Sequence, residues 1–136
     1  MTSKKKSWIE KRDCNKVPHV KIIDKAFSGV PKGSKLLISS PKEINDFIHT
    51  IPKNIQLEPR EMRNILAKKH NADATCPVST GIFLRIVAEA AIEEYNNGKT
   101  LNEICPFWRI IRPTSTIGKK LTISDDEFEN MKLLAN

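Results

Sequence analysis

The chain has 136 residues, 39% of them hydrophobic, enough for one modest core and too few for two independent domains. Its formal net charge of +7 is concentrated in residues 1–36, where ten Lys or Arg face three acids, while the remaining hundred residues carry thirteen of each sign. No apolar run approaches the roughly 18 residues of a membrane span, and no hydrophobic segment follows the first lysines as a secretory signal would require, so a soluble cytoplasmic protein without a membrane partner is expected.

Three cysteines, Cys14, Cys76 and Cys105, are an odd number in no paired spacing. That speaks for free thiols in a reducing compartment rather than a disulfide framework. With no Cys-x-x-Cys and no second clustered ligand, neither a metal nor another cofactor is expected.

Residues 1–34 read as a basic N-terminal arm, partly extended or disordered. Lys4-Lys5-Lys6 and Lys11-Arg12 are the kind of cluster that neutralises phosphates through counterion release, and they equally suit a solvated leader. Pro18, Gly29, Pro31 and Gly33 punctuate this stretch too often for a long helix, although Val20 to Ile23 can be extended. Lys35 to Ser39 is apolar at its centre and bounded by Gly33 and Pro41, as a short strand would be.

Ser40-Pro41-Lys42-Glu43 then reads as a helix start, with serine at the N-cap, proline at the first helical position and glutamate completing a capping box. Ile44, Phe47, Ile48 and Ile51 form its buried face, and Pro52-Lys53-Asn54 ends it. A second helix begins near Pro59, carries Met62, Ile65 and Leu66 inward and ends near His70. The apolar stripe Ile82, Phe83, Ile86, Val87, Ala90 and Ala91 predicts a third helix over 81–96, capped by Ser79 or Thr80.

Phe107 to Ile111 has the β-branched and aromatic content of a strand, which Pro113 to Gly118 would turn back toward Leu121-Thr122-Ile123. Ser124-Asp125-Asp126-Glu127 starts a last helix, its acids favouring the N-terminus. Three helices followed by a short hairpin is the order of a winged helix-turn-helix: mainly α with a small β-hairpin, a single domain over residues 35–136. The same helical spacing permits a plain helical bundle.

Three segments carry a resemblance. Ile51-Pro52 with Arg60 to Lys69, then Cys76 to Ala91, then Pro106-Phe107-Trp108-Arg109-Ile110-Ile111 resemble the DNA-binding domain of alkylguanine-DNA alkyltransferases, and especially the cysteine-less alkyltransferase-like proteins. The first looks like that family's proline turn and first helix-turn-helix helix, and the second occupies the recognition-helix position. The third stands where the family has Pro-Cys-His-Arg-Val-Ile, and Leu133-Leu134 echoes its closing helix.

The resemblance implies a DNA-repair protein that holds duplex DNA but is not an enzyme. Phe107 and Trp108 replace the acceptor cysteine and its proton-relaying histidine, and neither can serve as nucleophile or base. Cys105, two residues earlier and roughly 6 to 7 Å away along an extended strand, is not a substitute. Pro59 stands near the family's nucleotide-rotating tyrosine, which puts base flipping in doubt. Arg85 is the nearest counterpart of the arginine that fills the gap left by a flipped base, and a solvated helix arginine explains it as well.

On this reading the third helix lies in a groove while Lys68, Lys69, Thr75, Ser79, Thr80 and Arg85 contact phosphates near its N-terminal end. Arg109, Arg112, Lys119 and Lys120, a run of four cations with no acid between residues 105 and 124, would grip backbone from the wing. Pro106, Phe107 and Trp108 are the candidate pocket for an alkylated base, against the alternative that both rings fill the core. Two other classes also fit: a winged-helix transcription regulator reading base edges through Arg85 or Asn71, and a protein-interaction module whose arm docks an acidic partner. A DNA binder in a bacterial or archaeal cell would be nucleoid-associated, and any repair or regulatory protein partner is unidentified.

Overall fold

The computed structural model of the protein describes residues 6–135, so Lys4 and Lys5 of the lysine run lie outside the described residues. The first element is α1 (Trp8–Arg12), closed by a complete capping box in which Glu10 N–H donates to Ser7 Oγ and Ser7 N–H to Glu10 Oε1, both at 3.1 Å. A strand follows, β1 (His19–Ile22), antiparallel to β2 (Lys35–Ile38) with Val20 opposite Leu37. The two-residue β3 (Ala74–Thr75) joins β2 in parallel. Because successive strand residues face opposite sides, central β2 sends Leu37 into the main core and Leu36 into a smaller cluster with Ile23, Val30 and Cys76.

Next comes α2 (Pro41–His49), which starts as its sequence dictates, with Ser40 Oγ accepting from Glu43 N–H at 3.1 Å. The reciprocal half of the box is not made. Instead the Glu43 carboxylate accepts from Ser39 Oγ at 2.6 Å and from Lys69 Nζ at 3.2 Å, and lies 2.6 Å from His70 Nε2. It thereby ties α2 to the end of α3 (Pro59–Lys69). Met62 and Leu66 of α3 are buried, but Ile65 is half-exposed, contrary to the inward position expected for it.

The long helix α4 (Pro77–Asn96) starts four residues before the predicted 81. Pro77 presets φ for the first turn, and the Thr80 hydroxyl donates back to the Cys76 carbonyl at 2.7 Å instead of capping. Its buried stripe runs through Phe83, Leu84, Val87, Ala88, Ala91 and Ile92, leaving Ile82 on the exposed side. It packs most extensively against α1 and α2, whereas α3 packs on β2 and β3.

The expected C-terminal hairpin is not formed. Phe107–Arg109 is a 3-10 turn, with Arg109 N–H bonded to the Pro106 carbonyl at 3.1 Å and Ile110 N–H to that of Phe107 at 3.1 Å. The predicted return segment contains a helix, α5 (Thr116–Lys120), capped by Ser115 Oγ, which accepts from Gly118 N–H at 3.0 Å. Residues 107, 108, 110 and 111 are buried on every side, and a short apolar run of that kind has no periodicity by which to tell strand from turn. The last helix, α6 (Asp125–Ala135), starts where predicted, with Ser124 Oγ accepting from Glu127 N–H at 3.1 Å. The result is a mainly helical single domain with a small mixed three-stranded sheet, its core enclosed by α2, α4, the 3-10 turn and α6.

Candidate nucleic-acid interface

Pro106, Phe107 and Trp108, expected as a base pocket, are all buried. Phe107 meets Trp108 edge-on at 5.2 Å and Phe128 of α6 edge-on at 5.4 Å, so its ring, with no exposure at all, joins the 3-10 turn to the last helix. Arg109 is likewise used within the fold: its Nη1 donates to the Ile51 carbonyl at 2.7 Å, and its own carbonyl accepts from Leu57 N–H at 2.8 Å, bracing the loop that leads into α3. Cys105 is buried with Sγ 3.9 Å from the Asn45 carbonyl, and burial pushes its thiol far above the ordinary range, leaving it protonated at neutral pH.

A different set of residues converges on the N-terminal half of α4. Trp8 of α1 lies beneath two cations, Lys11 Nζ at 4.4 Å from the ring centroid and the Arg85 guanidinium at 5.3 Å. Around them runs a groove of about 460 Å³ between α1, α4 and α5, bordered by Val78, Ile82, Ile117 and Lys120. Val78 and Ile82 are 51% and 56% exposed, unusual for large apolar side chains on a helix otherwise so well covered.

The floor of this face is organised by Glu89, whose carboxylate is fully buried. One oxygen accepts from Thr122 N–H at 3.1 Å and Thr122 Oγ1 at 2.6 Å, fixing the segment after α5, and the other lies 3.6 Å from Arg85 Nε. Lys119 is exposed beside Lys120. Of the predicted contacts, the structure therefore brings Arg85 and Lys120 to one groove, joins to them Lys11, which the sequence reading placed in the basic arm, and adds Trp8, Val78 and Ile82, which it did not select for binding. The Ser7-x-x-Glu10 capping signature was the available signal that residues 8–12 are helical and ordered.

The remaining predicted residues are dispersed. Thr75 is buried and donates to the Arg63 carbonyl at 2.8 Å, and Ser79 Oγ is 3.5 Å from the Cys76 carbonyl. Thr80 and Arg112 border a separate cleft of about 290 Å³ where the starts of α3 and α4 meet Ile110, Ser115 and Thr116. Arg112 is ion-paired there with Glu58. Lys68 and Lys69 stand at the far end of α3, and Lys69 opens onto another groove with Lys16 and Lys42.

Among the described residues there is no group of three or more His, Cys, Asp or Glu arranged to hold a metal, and no helix long and apolar enough to cross a membrane. No protein-family model matches the chain, and comparison with curated proteins and with solved structures gives no match.

Proposed function

We propose that the protein binds duplex DNA without catalysing a reaction on it, as a cysteine-less alkyltransferase-like protein in which α3 and α4 act as the helix-turn-helix pair. The observation that carries this reading is the groove on α4, where Lys11, Arg85 and Lys120 from three separate elements surround exposed Val78 and Ile82. Cations on such a face suit phosphates, and apolar side chains at its centre suit thymine methyl groups. Charge along the chain supports the orientation. Residues 53–85 carry six bases and three acids, whereas residues 89–103 carry four acids and one base, so the N-terminal end of α4 is the positive one. The absence of transfer chemistry is supported by buried Phe107 at the acceptor position and by the buried, protonated Cys105.

The 290 Å³ cleft at the starts of α3 and α4 favours a refinement, recognition of an alkylated base there rather than at Phe107. A salt-resolved titration with plain duplex, alkylguanine-containing duplex and single-stranded DNA tests both. The expected result is duplex binding whose logarithm falls linearly with the logarithm of salt, and tighter binding of the alkylated duplex. Salt-insensitive binding, or none to any duplex at low salt, would overturn the DNA reading. Equal affinity for the two duplexes would remove only the lesion.

A further inference from the structure

A further cleft, of about 510 Å³, is bordered by Trp108 and lies between the turn at residues 54–56, the chain following the 3-10 turn and α6. Two of the residues that border it hold buried N–H donors with no acceptor among the described residues: Trp108 Nε1, on a side chain only 1% exposed, and Arg109 Nε. Arg109 cannot resolve this by turning, because its Nη1 is committed to the Ile51 carbonyl at 2.7 Å. A buried donor left without an acceptor is costly, and two on neighbouring residues at the edge of one cleft point to a shared acceptor.

Charge gives the second constraint. The lining includes Arg109, Arg112 and Lys132 against a single acid, Glu129, and Arg112 shares its charge with Glu58 outside the cleft. The lining is thus net positive, and its two buried donors lack an acceptor among the described residues. An oxyanion supplies both acceptors and negative charge; a cation or an apolar molecule supplies neither.

We infer that this cleft is a binding site for a phosphate-class oxyanion, held by the Trp108 indole N–H and Arg109 Nε–H, with Arg112 and Lys132 closing over it. The site stands apart from the α4 groove and does not depend on the DNA reading. The same chemistry has two sources, a free phosphate or phosphate monoester and a backbone phosphate of DNA.

The indole N–H of Trp108 is a direct reporter, since the chain has two tryptophans and Trp8→Phe assigns the remaining indole cross-peak in an amide NMR spectrum. Titration with inorganic phosphate at fixed ionic strength, balanced with chloride, is expected to shift that cross-peak saturably. Lys132→Gln and Arg112→Gln, each checked for an intact amide spectrum, are each expected to weaken the apparent affinity several-fold. A response that is linear and the same for chloride, or a saturable one that neither variant changes, would overturn the site. In a further arm, a duplex that shifts the same cross-peak and is displaced by phosphate assigns the oxyanion to DNA backbone, and a duplex without that effect assigns it to free phosphate.

Discussion

Gly118 occupies a position that admits no side chain: a Cβ there would lie 2.1 Å from the Arg112 carbonyl oxygen and 2.8 Å from that of Pro113. The sequence marked it as a turn glycine, but the need is close backbone approach, which no local pattern reveals. Gly118→Ala is expected to cost about 1 to 3 kcal/mol through forced backbone displacement, read as a lower urea midpoint at unchanged slope. Phe107 is the opposite case, singled out in the sequence with two roles left open. The sequence left a base pocket and core filling as alternatives for it, and the 3-10 turn buries its ring between Trp108 and Phe128. Phe107→Ala should destabilise by roughly 3 to 5 kcal/mol, the range for emptying an aromatic site in a close-packed core, again measured by urea unfolding.

Among the elements, those with chemical punctuation or a long helical periodicity were legible, and a short run of buried residues without periodicity was not. Ser40-Pro41 and Ser124 located two helix starts, because cap geometry is a local property. The expected hairpin failed because Phe107, Trp108, Ile110 and Ile111 are buried with no alternation of exposed positions, and because Ser115 caps a helix within the supposed turn. Side-chain ties between elements were invisible to any local pattern, and two of them make stability depend on pH. Burial opposes the charge on Glu43, but hydrogen bonds from Ser39, His70 and Lys69 outweigh it and hold the carboxyl below its usual 4.5. At Glu94, burial is likewise outweighed, by Lys99 and Arg12. A carboxyl depressed in the folded state contributes stability that is complete above the unfolded value and is lost as pH falls through the folded one. The urea midpoint should therefore decline below about pH 4.5, and the decline should be shallower in Glu43→Gln.

For the whole molecule, net charge and its N-terminal bias were plain from composition, yet the docking of the N-terminal stretch was not. The Trp8 N–H donates to Glu93 Oε2 at 3.1 Å and Arg12 pairs with Glu94, contacts spanning more than eighty residues of chain. Such pairings leave no local signature, which is why Trp8 was not selected and Lys11 was placed only in the arm, apart from Arg85. If α1, α4 and α5 act as one surface, Lys11→Gln combined with Lys120→Gln should reduce the slope of log affinity against log salt by about 2, measured by duplex titration at several salt concentrations.

The long-range seat of α1 also bears on when that surface exists. A five-residue helix is marginal by itself, and this one must wait for α4 to be made before its partners at Glu93 and Glu94 are available. It therefore docks only after most of the chain has been synthesised, and, with no buried residue of its own, α1 should be found by amide hydrogen exchange to open at a free energy well below that of α4. A partly unfolded chain keeps its whole positive charge but loses the groove. On the proposed DNA reading, general attraction to polyanions would survive that loss, whereas discrimination between them would require α1 to be docked.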